Sequence, residues 1–150
     1  MGGTEEMDDR RLHYRALAQW QEKLPKKGLP SLSDFHPSNS ADLAENSFVL
    51  DVAGGIRKPV IVYSGAQIDE ACGEPVTGRV STELPGSTVF FHLADHFVEA
   101  IANRAPISFE AEYRKADGTD CRYRGILLPL SENGADINAI VGVLNWAEFK

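Results

Sequence analysis

A chain of 150 residues is the length of one ordinary domain, and a sensor joined to a catalytic or DNA-reading module does not fit within it. Its 43% hydrophobic and 25% charged residues suit a globular protein with a core of its own, and 13 glycines and 8 prolines are too few for a low-complexity chain. Fifteen Lys and Arg against 22 Asp and Glu leave a net charge of −7, which argues against general nucleic-acid binding because that needs a basic footprint.

The acidic start, Met1-Gly2-Gly3-Thr4-Glu5-Glu6, lacks the basic and apolar regions of a signal peptide, so a cytoplasmic protein is expected. From Asp8 to Leu24 the spacing predicts an amphipathic helix, with Leu12, Ala16, Leu17, Trp20 and Leu24 on one side. Pro25 ends it, since proline cannot continue the backbone ladder. Residues 1–28 therefore read as a tail and a capping helix, and residues 29–150 as the body of the domain. Lys26 to Asn46 carries Pro30 and Pro37 among Ser, Asp and Asn, which predicts loops and turns.

Ser47–Val52 and Pro59–Ser64 are β-branched and aromatic runs around Ala53-Gly54-Gly55, and they predict a hairpin. Gly65 to Cys72 predicts a short helix stopped by Gly73. A longer helix follows, with Ser87 as N-cap, an end near Asn103, and Phe90, Leu93, Phe97, Ala100 and Ile101 as its buried stripe. Ile107 to Lys115 alternates strictly, and Ala116-Asp117-Gly118 is a three-residue hairpin loop. That register sets Glu112 opposite Arg122 and Glu110 opposite Arg124.

The last two strands, Cys121–Leu130 and Ile137–Trp146, are apolar on both faces, whereas an antiparallel sheet commonly keeps one face wet. Alternation assigns Tyr123, Leu127, Val141 and Val143 to one face, and Ile126, Leu128, Leu130, Ile140, Leu144 and Trp146 to the other. Something must cover the second face as well, either the N-terminal helix or a second subunit. The longest apolar stretch, Ala139 to Leu144, is far too short to span a membrane.

The order helix, two strands, short helix, long helix, three strands predicts an α+β fold. It has a five-stranded antiparallel sheet, helices on one face and the N-terminal helix on the other. With Leu29-Pro30-Ser31-Leu32-Ser33-Asp34-Phe35-His36-Pro37, Tyr63-Ser64-Gly65, Gly73-Glu74-Pro75-Val76-Thr77-Gly78-Arg79 and Arg124-Gly125-Ile126-Leu127-Leu128-Pro129-Leu130-Ser131, the chain resembles the PAS sensory-domain superfamily. It looks most like the bacterial, alphaproteobacterial-type single-domain branch. The resemblance implies a module that binds a small molecule between sheet and long helix, or that dimerises or docks on a signalling partner.

Haem, flavin and covalent chromophores are the ligands such a resemblance brings forward. His92 and His96 stand four apart on the long helix, but the stripe of Phe90, Leu93 and Phe97 aims His92 outward. Cys72 lacks the Asn-Cys-Arg-Phe-Leu-Gln surroundings of flavin photochemistry and reads, with Cys121, as a small buried hydrophobe. No metal site and no cofactor are assigned. Asp95, His96 and Glu99 offer an acid–base set on paper, yet helical spacing aims Asp95 and Glu99 away from the stripe, and no phosphate loop, nucleophile elbow or HExxH occurs.

The expected ligand-lining set is Ile61, Tyr63, Phe90, Leu93, Phe97, Phe109, Ala111, Tyr123 and Leu127, side chains that either leave room for a small apolar ligand or fill the space as a packed core. The expected interface set is Leu12, Leu17, Trp20, Ile126, Leu128, Ile140, Leu144 and Trp146, for a homodimer or a partner protein. Nucleic acid and membrane are not expected partners. The reading is a non-enzymatic sensory or regulatory module, and the alternative is a small α+β enzyme, isomerase- or cyclase-like, with a hydrophobic cavity.

Overall fold

The computed structural model describes residues 2–85 and 88–149, with side chains from residue 12 to residue 148 outside the gap. Helix α1 runs over Gly2–Glu22, starting earlier than the apolar spacing alone indicates. Strands β1 (Ser47–Asp51) and β2 (Val60–Ser64) form the expected hairpin, and α2 (Ala66–Cys72) follows. Gly73 stops α2 in the left-handed region at φ 79°, its N–H capping the Asp69 and Glu70 carbonyls. Helix α3 (Val89–Asn103) has Thr88 at the N-cap position; Ser87, the expected cap, lies outside the described residues.

Strands β3 (Ile107–Arg114), β4 (Asp120–Leu130) and β5 (Ala139–Phe149) complete one five-stranded antiparallel sheet of order β2-β1-β5-β4-β3. The β3–β4 hairpin has the predicted register, with Glu112 opposite Arg122 and Glu110 opposite Arg124. Both pairs are joined by ion pairs, at 3.1 and 3.0 Å. Gly118 turns the loop at φ 88°, a conformation that costs glycine little.

The sheet separates two hydrophobic cores. In front, α2 and α3 cover Phe48, Leu50, Ile61, Phe109, Tyr113, Tyr123, Leu127, Ile140 and Leu144. Behind, α1 and the segment around Leu29, Phe35 and Leu43 cover Val49, Ile126, Leu128, Leu130, Val141 and Val143. Leu12, Ala16 and Trp20 anchor α1 there, with Leu17 at the margin. Burying Leu12 and Trp20 contributes about 1.5–3 kcal/mol each. The Trp20 indole N–H also donates to the Pro129 carbonyl at 3.0 Å. Strand β3 pairs with β4 only as far as Leu127, so at Pro129 the helix supplies a donor where no neighbouring strand does.

Two expectations about faces are corrected. The pairs Tyr123–Trp146, Gly125–Leu144 and Pro129–Ile140 put Ile140, Leu144 and Trp146 on the front face with Tyr123, while Ile126–Val143 and Leu128–Val141 put the valines behind. The expected assignment had β5 turned over relative to β4, which is what a one-residue change of register does. Tyr63 is the second correction. Val49 pairs with Tyr63 but Leu50 pairs with Ile61, so Val62 is an extra residue that breaks the alternation. Ile61 faces α3, and Tyr63 turns to the rear, where its hydroxyl donates to the Ala44 carbonyl at 2.6 Å.

Candidate functional site

Between α3 and the sheet, Ile61, Phe90, Leu93, Phe97, Phe109, Tyr123 and Leu127 come together as buried neighbours, with Ala111 at the margin. The residue at their centre is Phe48, which sequence reasoning left out of the lining. Phe48 stands directly opposite Gly142 in the sheet, and its ring folds over that glycine. A Cβ on Gly142 would lie 2.1 Å from two ring carbons, so only glycine admits the ring there. The ring meets Phe90 edge-on at 4.8 Å between centroids and Phe97 at 6.1 Å. The available signal was Gly142 itself, a glycine set among the β-branched Ile140, Val141 and Val143.

Two large polar side chains near this core are directed at backbone carbonyls. Tyr113, buried and held well above its ordinary pKa by that burial, points its hydroxyl at the Ala71 carbonyl 3.5 Å away. Trp146, expected at the rear, lies half-buried in front and donates its indole N–H to Gln67 at 2.9 Å. Its ring lies beneath the Lys115 ammonium at 5.4 Å, and Lys115 is paired with Glu148. Burial pushes the Cys72 thiol up to about 12, with Asp69 and Glu74 adding to the effect, so it is a neutral thiol at the end of α2. Burial raises Cys121 as well.

His92 is exposed on α3 with its ring 5.3 Å from that of Tyr113, and His96 stacks on Phe109 at 5.6 Å. Asp95 and Glu99 are exposed. Among the described residues no three His, Cys, Asp or Glu side chains converge on a metal-sized space. Among the same residues no helix is long and apolar enough to cross a membrane. The outer side of α3 instead presents Phe91 and Val98, 60% and 51% exposed.

On the rear face, the interface residues expected from sequence divide. Leu12, Trp20, Ile126 and Leu128 are buried together beneath α1, and Leu17 is partly buried beside them. Ile140, Leu144 and Trp146 are not among them. The helix of the same chain covers this face, so the apolar character of β4 and β5 on both sides is accounted for within one molecule.

No protein-family model matches the sequence, and no curated protein matches it. Solved structures do. The chain is similar to a LOV domain from the Erythrobacter litoralis EL346 blue-light activated histidine kinase, with a TM-score of 0.51 at 17% identity over 69% of this chain and 95% of that one. It is also similar to an RNA-binding light-oxygen-voltage receptor, with a TM-score of 0.52 at 19% identity over 68% of this chain and 30% of that one. A third is VqmA bound to DPO, with a TM-score of 0.51 at 17% identity over 67% of this chain and 51% of that one. The chain has a PAS-type fold.

Within that PAS-type fold the residues present do not fit a flavin. The middle of the space between α3 and the sheet is taken by Phe48, packed on Gly142, Phe90 and Phe97. Cys72 ends α2 as a neutral thiol beside Asp69 and Glu74, where burial outweighs the lowering effect of Lys115. What the arrangement offers is a packed aromatic core in front and a separately anchored helix behind.

Proposed function

We propose that this chain is a sensory or regulatory module that acts through contact with another protein or a second copy of itself, with α1 as the transmitting element. The observation that carries this reading is the second core: α1 is held by Leu12, Ala16 and Trp20 on the rear of the sheet, apart from the core under α3. A helix seated this way can be exchanged for a partner without unfolding the body. The PAS-type fold supports the reading, since one of the similar structures is a domain of a light-activated histidine kinase. A cytoplasmic site of action belongs to the same reading.

The sensing side is the lining of Ile61, Phe90, Leu93, Phe97, Phe109, Ala111, Tyr123 and Leu127. A small apolar ligand enters only if Phe48 or Phe90 swings aside, and that movement couples the ligand to α3 and the sheet. No catalytic step is assigned: the titratable groups that meet in this core, Cys72, Tyr113, Cys121 and Tyr123, are all pushed up by burial and stay neutral.

The test is Ala16→Asp, which puts a charge under α1 at a fully buried position and leaves the α3 side untouched. Light scattering and pull-down are compared with the parent, with circular dichroism as the check on the sheet. The expected result is a change of mass or of captured proteins. A variant whose sheet remains folded, with both profiles unchanged, refutes α1 as the transmitter.

A further inference from the structure

Where α1 passes from the apolar to the charged half of the rear face, it meets the ladder of ion pairs on β3 and β4. Helix and strands enclose a cleft of about 300 Å³ lined by His13, Tyr14, Ser108 and Arg124. None of the four belongs to either hydrophobic core. His13 and Tyr14 come from α1, Ser108 from β3 and Arg124 from β4.

The chemistry of this set is that of donors. His13 Nε2 and Ser108 Oγ are 2.8 Å apart. Burial and the nearby Arg124 hold His13 below its ordinary pKa, so the resting pair is a neutral imidazole and a hydroxyl. Arg124, 29% exposed, reaches Glu110 through its Nε at 3.0 Å. Its terminal nitrogens meet no other acceptor among the described residues. Tyr14, 67% exposed, adds a phenol and a ring face at the mouth. Among the described residues, a guanidinium with its terminal nitrogens open, a serine hydroxyl, an imidazole and a phenol surround the cleft, and Glu110 is the carboxylate paired with that guanidinium. An oxyanion completes such a set, because a planar guanidinium fork binds carboxylate or phosphate oxygens through two parallel N–H donors.

We propose that this cleft binds a small oxyanion-bearing ligand, a carboxylate or phosphate on a short organic body, and that the ligand clamps α1 to β3 and β4. The clamp rests on the reading of α1 as the transmitting element. The ligand takes the Arg124 terminal nitrogens, accepts the one proton that the His13–Ser108 hydrogen bond leaves over, and rests against the Tyr14 ring. Glu110 competes with it for the guanidinium. Two changes on one exposed ion pair therefore act in opposite directions: Arg124→Gln removes the anchor, and Glu110→Gln removes the competitor.

The full chain is titrated with inorganic phosphate and, separately, with succinate at constant ionic strength. Isothermal calorimetry and the His13 imidazole NMR signals report binding, and amide exchange along α1 reports the clamp. The expected result is saturable binding of at least one anion with a shift at His13, tightened severalfold in Glu110→Gln and weakened at least tenfold in Arg124→Gln. Slower exchange in α1 is expected when the anion is bound. Which anion saturates tells a phosphoryl from a carboxyl ligand.

Both variants sit on an exposed hairpin face and are expected to fold. Non-saturable responses, or equal affinities in the two variants, overturn the site. Saturable binding with unchanged exchange in α1 overturns the clamp. Failure of the site leaves the Ala16→Asp result standing, so the two ideas fail separately.

Discussion

Replacing Phe48 with alanine removes the ring that fills the space between α3 and the middle of the sheet. The side chain is fully buried, lies over Gly142, and touches Phe90 and Phe97 edge-on. Truncating a buried phenylalanine costs about 3–5 kcal/mol through lost transfer energy and the cavity left behind. For a domain of this size that lowers the melting temperature by roughly 6–20 °C. The partner change is Gly142→Ala, whose Cβ would stand 2.1 Å from the same ring and forces it aside, a cost of about 1–3 kcal/mol in the parent chain. With Phe48 already alanine, that methyl enters vacated space and its cost nearly vanishes. Urea unfolding of the four proteins, followed by far-ultraviolet circular dichroism, gives the coupling directly, and about 1 kcal/mol or more is expected. Additive effects, or a loss below about 1 kcal/mol for Phe48→Ala, would refute the account of a ring-filled interior.

Trp20→Phe keeps most of the apolar contact but leaves the Pro129 carbonyl without its indole donor, and a loss of about 1–3 kcal/mol is expected in chemical denaturation. An unchanged midpoint would show that the bond contributes nothing. Gly73→Ala places a Cβ at φ 79° and should cost about 1–2 kcal/mol with no change in the near-ultraviolet signature; a neutral result contradicts the capping role. His13 and His36 are both held below the ordinary value of 6.5, mainly by burial and at His13 also by Arg124. The unfolded chain therefore binds the extra protons first. The stability their neutral forms contribute is complete above pH 6.5 and is lost as pH falls through the lowered values. Urea midpoints between pH 7.5 and 5.5 should drop less steeply in His13→Gln/His36→Asn, and identical slopes would refute the assignment.

Local chemistry was enough to read much of this molecule. Strict alternation, a Gly-containing loop and opposed charges define the β3–β4 hairpin to the residue, because each of those signals acts over a few positions and all agree. The helical stripe of Phe90, Leu93 and Phe97 likewise told which side of α3 is buried. The apolar surplus of β4 and β5 announced that both faces of the sheet are covered. Which face is which was another matter. A strand that is apolar on both sides is symmetric under alternation, and only its hydrogen-bonded register against β1 and β4 sends Leu144 under α3 and Val143 under α1. Tyr63 was lost to the extra residue Val62, a bulge that leaves no mark in composition. His13 and Ser108, 95 positions apart, become neighbours only once the helix is laid across the sheet. Turn residues, periodicity and charge act through neighbours in the chain, so they are legible in order. Register and the docking of α1 depend on partners far away in that order, and those were decided by packing in three dimensions.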